Sequence, residues 1–342
     1  MIRRVMPYKK QEFIDSMCGY IESYEFYNEG IIRVLEKKIQ KYCGRKYALC
    51  VNSATNALFM LLYTHYQKQG KILKNEVIIP NYGFPAASRV CQVLDLVPIS
   101  VDIEKETLSM SPEQVLISMS KWTLAVVHIE TNGVVGNAQA IASTYSNDVL
   151  YIEDSAPSML QTFNGIPAGS FGDVGIYSFG ATKPMCAGEG AVIVTDREDI
   201  YNELKNLRYN TYNHPHASMN FTLSPFLAAY LIPQIDSLNE VISMRERVYS
   251  EYSKYIDIFK QDMVTNRYGA IMYMSKKAKD IHKRLKTFGI EHRYEYYPLY
   301  SDGDFPISKE VRNEIIDLPM HHELTNEQIK SICELIRRIE DE

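Results

Sequence analysis

The stretch Val174-Gly175-Ile176-Tyr177-Ser178-Phe179-Gly180-Ala181-Thr182-Lys183-Pro184, followed by Gly188-Glu189-Gly190-Ala191, decides how this chain is read. An apolar run, Val174–Phe179, stops at a glycine-containing segment, and a second apolar run, Ala191–Thr195, starts beyond it. Short apolar runs bounded by Gly and Pro read as buried strands. Lys183 lies in the turn between them. A lone lysine belongs in solvent; this one is flanked by Ser178 and by a Gly-Glu-Gly turn, a far more specific setting.

The same rhythm continues upstream. Tyr47–Val51, Glu76–Pro80, Leu96–Val101, Leu124–His128 and Val149–Glu153 are further strand candidates. Between them lie helical stretches: 30–43 with apolar residues at helical spacing, a helix opened by Ser53-Ala54-Thr55-Asn56, Pro112–Ser120 and Ala138–Tyr145. Strands alternating with helices predict an α/β fold with a mainly parallel sheet and helices on both faces. Ligands of such sheets bind beyond the carboxyl ends of the strands. Residues 234–260 read as one long helix, or two in close succession. They lead to a smaller C-terminal α/β domain with a strand near Gly269–Met274, a helix over 277–287 and a last helix from Asn326. The expected division is a large domain over 1–235 and a linking helix with small domain over 236–342.

The composition narrows the function classes. The 342 residues are 46% hydrophobic and 23% charged, with net charge −5, so no basic stripe points to nucleic acid. No apolar run approaches the ~20 residues of a membrane span. The start, MIRRVMPYKKQEFIDSM, lacks the apolar core of a secretory signal, so the expectation is a soluble cytoplasmic protein. Six scattered cysteines show no metal-ligand spacing, and no metal is expected. His214 and His216 read as an exposed loop.

Several residues then fall where chemistry needs them. Ser53, Ala54 and Thr55 stand at a helix start, where N–H groups and the helix dipole favour a phosphate. Asp154 ends the run VLYIED, where a carboxylate could meet a protonated ring nitrogen or cap a helix. Phe84 follows another strand, placed to stack on a ring or simply to pack. A lysine, a phosphate cradle, a carboxylate and an aromatic platform together match the needs of pyridoxal 5′-phosphate.

In order and spacing these residues resemble the DegT/DnrJ/EryC1/StrS family of sugar aminotransferases, a branch of the fold type I pyridoxal-phosphate enzymes. The resemblance runs over almost the whole chain. It is carried by Tyr42-Cys43-Gly44-Arg45-Lys46-Tyr47-Ala48, Ser53-Ala54-Thr55-Asn56-Ala57-Leu58, Asn75-Glu76-Val77-Ile78-Ile79-Pro80, Val127-His128, Glu153-Asp154-Ser155-Ala156, Gly169-Ser170-Phe171-Gly172-Asp173, and Ser178 through Gly190. Near the end, Tyr297-Pro298-Leu299-Tyr300 and Leu318-Pro319-Met320-His321 complete it.

The resemblance implies roles. Lys183 carries the cofactor as a Schiff base and shuttles the proton. Asp154 pairs with the pyridine nitrogen, and Phe84 stacks on the ring. Ser53, Ala54, Thr55 and Ser178 hold the phosphate, helped by Asn220 reaching across a homodimer interface. His128, Arg293, Tyr297 and His321 are candidate substrate contacts. The implied reaction passes an amino group from an amino acid, L-glutamate foremost, to a keto group on a nucleotide-linked deoxysugar, for amino-sugar and surface-polysaccharide synthesis. Alternatives are a small or phosphorylated ketone as acceptor, a sugar dehydratase, or a non-catalytic pyridoxal-phosphate binder. Dehydratase relatives carry histidine in place of the lysine, which Lys183 argues against.

Departures from the family pattern gather around the acceptor. Ala54 stands for the usual Gly, Pro157 for Gln or His, and Thr222 for Arg. After His128 comes Ile129-Glu130-Thr131-Asn132-Gly133 in place of the usual His-Leu-x-Gly pattern, and the C-terminal domain is short.

Overall fold

The structure is a computed structural model, and it describes residues 1–24, 29–69, 74–144, 148–208, 218–261, 270–297, 300 and 303–342. His214 and His216, Pro298 and Leu299, and the ends at Tyr145 and Gly269 lie outside the described residues.

The helices are α1 (Gln11–Glu22), α2 (Glu29–Cys43), α3 (Ala54–Gln67), α4 (Ala86–Val93), α5 (Pro112–Ser118), α6 (Ala138–Ala142), α7 (Glu198–Arg208), α8 (Pro225–Asp236), α9 (Leu238–Ser253), α10 (Ala278–Thr287), α11 (Pro306–Glu314) and α12 (Asn326–Asp341). The strands are β1 (Tyr47–Val51), β2 (Glu76–Pro80), β3 (Val97–Val101), β4 (Ile103–Glu104), β5 (Ser109–Met110), β6 (Thr123–Ile129), β7 (Leu150–Asp154), β8 (Thr162–Phe163), β9 (Ile166–Pro167), β10 (Val174–Ser178), β11 (Ala191–Thr195), β12 (Ile271–Met274), β13 (Arg293–Tyr294) and β14 (Ile315–Leu318).

Seven strands form the central sheet in the order β1-β11-β10-β7-β6-β2-β3. Only β11 runs against its neighbours, pairing antiparallel with both β1 and β10. From β2 the sheet grows outward to β3, and from β6 it grows the other way through β7 to β10. The order therefore reverses between β2 and β6, where an open α/β sheet leaves a crevice at the carboxyl ends of its strands.

Residue parity decides which face each side chain joins. Leu49, Val77, Ile79, Val127, Ile129, Ile152, Ile176 and Ile193 face one core with α3, α4 and α7. Ile78, Val126 and Tyr151 face the opposite layer with α5 and α6, and Cys50, Tyr177 and Val192 face α2 and α8. Burial on both faces is why these strands read as continuous apolar runs.

Of the two alternatives for 234–260, two helices in close succession is the one found. α8 ends at Asp236, and α9 begins at Leu238 after Ser237. The small unit packs α9, α10 and α12 on the antiparallel sheet β12-β14-β13 around Ile271, Ile281, Ile316, Ile332 and Ile336. Thr325 and Gln328 form a reciprocal capping box that starts α12. The first residues of the chain also join this unit. Ile2 N–H donates to Gly289 O (2.9 Å), Glu291 N–H to Ile2 O (2.8 Å) and Met320 N–H to Arg4 O (2.8 Å). Among the described residues no helix is long and apolar enough to cross a membrane.

Candidate active site

A cavity of about 250 Å³ opens at the carboxyl ends of the strands, on the face shared with α3. Ser53, Ala54, Thr55, Phe84, Asp154, Ser178 and Lys183 all line it, with Arg293 and Tyr297 entering from the small unit. Register explains the meeting. Asp154 shares its face with Leu150 and Ile152, Ser178 shares it with Val174 and Ile176, and Ile176 lies beside Asp154 in the β7–β10 pair.

Each side chain is placed by local structure. Ser53 is the N-cap of α3, its Oγ accepting the Asn56 N–H (3.1 Å). The Ala54 and Thr55 N–H groups, at the start of the helix, have no intrahelical acceptors, and both residues line the cavity. Lys183 lies in the loop joining β10 to β11. That loop is tied by Phe179 N–H to Gly190 O (2.8 Å), Ala187 N–H to Phe179 O (2.8 Å) and Lys183 N–H to Gly180 O (2.9 Å). Gly190 has φ +109°, and a Cβ there would come within 2.7 Å of Leu223, so the loop requires glycine at that point. Ser178 Oγ accepts the Gly180 N–H (3.2 Å), which leaves its hydroxyl proton to give. The Tyr300 hydroxyl donates to Phe84 O and holds that loop. The Phe84 ring remains 46% exposed, open at the cavity mouth.

The electrostatics favour the neutral amine at Lys183. Burial draws the Lys183 ammonium down to about 8; Asp154 opposes the shift, and Arg293 and Arg4 add to it. Burial also raises the Asp154 carboxyl, while Lys183 and the Ala156 N–H (3.3 Å) pull it back down. Behind Asp154 stand two further carboxyls to which sequence reading assigned no role. Glu153 accepts N–H groups from Phe171 (2.6 Å), Gly172 (2.5 Å) and Gly169 (3.2 Å), yet burial lifts it to about 7. Glu130 is wholly buried and raised further, by burial and by Glu153, with the Ser158 hydroxyl donating to it.

Three expected residues are not brought to this cavity. His128 has the opposite parity: it pairs in register with Glu153 while Ile129 pairs with Asp154. It is wholly buried, with Nε2 3.0 Å from Val135 O, and burial lowers it to about 4. Ile129 lines the cavity in its place. His321 sits 3.0 Å from Arg3 O and lines a separate small cavity that Lys183 also borders. Asn220 is exposed, its Oδ1 accepting the Thr222 N–H (3.3 Å), and it does not line the cavity of its own chain. Conversely, Arg4, Asn132 and Asp317 border a small cavity continuous in its lining with the main one through Pro157, Lys183, Arg293 and Tyr297. Arg4 lies in the charged stretch MIRRVMPYKKQEFIDSM, where sequence reading singled out no site residue. Only the unusual Asn132-Gly133 pair, with Asn132 at φ +60°, carried a signal in sequence.

The donor set fits pyridoxal 5′-phosphate: free helix-start N–H groups for a phosphate, a carboxylate for a ring nitrogen, and an amine of lowered basicity between them. Comparison with known proteins agrees with the fold and the family. An aminotransferase from Pseudomonas aeruginosa acting on UDP-2-acetamido-2-deoxy-3-oxo-D-glucuronate is 25% identical over 321 residues, 87% of this chain and 88% of the relative. The aminotransferase TlmJ of Streptoalloteichus hindustanus superimposes with a TM-score of 0.92 at 20% identity, covering 100% of this chain and 99% of that one. Spr1654 of Streptococcus pneumoniae in its PMP form gives 0.91 at 19% identity, covering 100% and 99%. The profile of the DegT/DnrJ/EryC1/StrS aminotransferase family matches residues 7–337, and the chain belongs to that family of pyridoxal-phosphate-dependent aminotransferases.

Proposed function

We propose that this protein binds pyridoxal 5′-phosphate at Lys183 and moves an amino group from an amino acid, L-glutamate foremost, to the keto group of a nucleotide-linked keto-deoxysugar. The observation that carries the reading is the Lys183–Asp154 pair, facing one cavity at the start of α3. The cofactor supplies an electron sink that stabilises charge at the donor's α-carbon. Asp154 holds a negative charge where the ring nitrogen is to stay protonated. Ala54 and Thr55 N–H groups with the Ser178 hydroxyl hold the phosphate. Lys183 Nζ, lowered to about 8, is neutral in an appreciable fraction near neutrality and takes or returns the proton. Phe84 and Ile129 are apolar walls of the cavity.

The exposure of Asn220 away from its own cavity supports the expectation that it serves a second copy's site, and so a homodimer with shared sites. The relative from Pseudomonas aeruginosa, with its UDP-linked keto sugar, supports the acceptor class. Thr222, whose buried hydroxyl lacks a partner where relatives carry Arg, favours a second reading in which the acceptor is a smaller or phosphorylated ketone. The test is an absorbance spectrum with added pyridoxal phosphate, then L-glutamate, then candidate acceptors. A visible band that glutamate bleaches and a keto-sugar nucleotide restores is the expected result. Restoration only by phosphorylated ketones selects the second reading, and absence of the band overturns both.

A further inference from the structure

Beside the main cavity, on the side of the small unit, a second small cavity is bordered by Arg4, Asn132, Lys183, Arg293 and Asp317. Its cations come from distant parts of the chain. Arg4 is laid in by the backbone pairing of residues 2–4: its carbonyl accepts the Met320 N–H (2.8 Å), and its own N–H donates to Glu291 Oε2 (3.1 Å). Arg293 lies on β13, stacked with its guanidinium 3.7 Å from the Tyr296 ring centroid. Asp317, one residue from the end of β14, pairs in register with Arg293. Among the described residues neither guanidinium takes part in an ion pair or a side-chain hydrogen bond.

Charge and hydrogen bonding both leave room for an anion. Arg4, Arg293 and Lys183 face Asp154 and Asp317, which leaves one surplus positive charge in a partly desolvated space. Burial raises the Asp317 carboxyl to about 6 even against both arginines. Asn132 is 4% exposed, and neither its Nδ2 nor its Oδ1 has a hydrogen-bond partner of ordinary geometry, although the buried Tyr82 hydroxyl is close enough to interact. A buried, unsatisfied amide bordering a cation pair is costly unless a ligand completes it.

We propose that Arg4 and Arg293, with the Asn132 amide, seat the α-carboxylate of the amino donor, and that Arg4 is a specificity-determining residue of this enzyme. The inference rests on the aminotransferase reading. For the cofactor to act on an amino donor, the donor's nitrogen would have to lie near Lys183 Nζ, which would put the carboxylate on its α-carbon only a few bonds away. Two guanidiniums bordering the same small cavity as Lys183 meet that requirement, and a guanidinium fork matches a carboxylate bidentately. A keto sugar carries no carboxylate on its reacting carbon. The seat therefore acts in the donor half of the cycle and selects α-amino acids over simple amines.

The test uses the cofactor-loaded protein, with Arg4→Gln and Arg4→Lys as variants. Arg4→Gln is expected to raise the L-glutamate concentration for half-maximal bleaching on the order of 10- to 100-fold, the range of a hydrogen bond to a charged group. That rise should exceed any fall in the limiting rate, and Arg4→Lys should recover part of it. A second readout needs no cofactor: the pH at which the Lys183 amine half-reacts with an acylating reagent, with and without propionate. In the wild type propionate should move that pH upward, because an anion offsets the two arginines. In Arg4→Gln the midpoint should already be higher and propionate should move it less. Equal responses of wild type and Arg4→Gln to glutamate and to propionate overturn the proposal. Arg293→Gln is the second variant, should Arg4→Gln not fold, and must show the same split. If the wild type never forms the visible band, the aminotransferase reading fails instead, and the propionate arm still reports on the seat.

Discussion

Lys183 has two sides, and they are built differently. On the side of the central sheet stand Ser53, Asp154 and Ser178, each at the end of a strand or the start of a helix, each fixed by a few neighbouring residues. On the other side stand Arg4, Arg293 and Asp317, drawn from the first residues, a two-residue strand and a buried antiparallel strand. The first side is written locally, and on the proposed reading it serves the chemistry common to the family. The second exists only once the small unit and the N-terminal segment have assembled, and on the proposed reading it serves the choice of substrate. One fold can thus hold its chemistry constant while its selectivity is rebuilt from remote parts of the chain.

The contrast can be broken at several points. Replacing Lys183 with Ala should have the largest effect: the visible band should be lost, and the glutamate half-reaction should slow by about 10⁴-fold, the upper range for a positioned acid–base group. A surviving band would place the chemistry elsewhere. Asp154→Asn should leave the cavity's shape intact and slow the half-reaction on the order of 10²-fold, as removal of one preorganised electrostatic partner does. It also sharpens the contrast through its sign. Asp154 raises the Lys183 midpoint and the arginines lower it, so Asp154→Asn should move the acylation midpoint below about 8 while Arg4→Gln moves it above. Movement in the same direction for both would mean the two sides are not electrostatically opposed. The smallest effect is expected at Ser53→Ala. Loss of the α3 cap should cost about 1 kcal/mol in chemical denaturation, with weaker cofactor binding and an unchanged acylation midpoint.

This division also explains what the sequence disclosed. Tyr47–Val51, Glu76–Pro80 and Ala191–Thr195 were readable to the residue because strands buried on both faces need unbroken apolar runs. The last helix was readable from Asn326 because Thr325 caps it. The pairs β4–β5 and β8–β9 have strands two residues long, too short for any period to show. His128 shows the limit most sharply. The strand was placed correctly, but a one-residue phase separates the face that meets Lys183 from the face that meets Val135, and only the register to β7 reveals it. Arg4 had no signal at all, since nothing local distinguishes a terminal arginine that folds inward from one in solvent.

The reversed strand β11 has a consequence for how the protein is made. Among the described residues of the central sheet β1 pairs only with β11, and the pairing runs from Tyr47↔Thr195 to Val51↔Ala191. The strand that leads into Ser53–Thr55 is made well before its sheet partner, which follows it by ~140 residues, several seconds at ordinary elongation rates. Throughout that interval the apolar edge Ala48–Val51 and the helix behind it have no sheet to join. The nascent chain must be kept from aggregating over that span, and a product truncated anywhere before Ala191 would leave that edge bare.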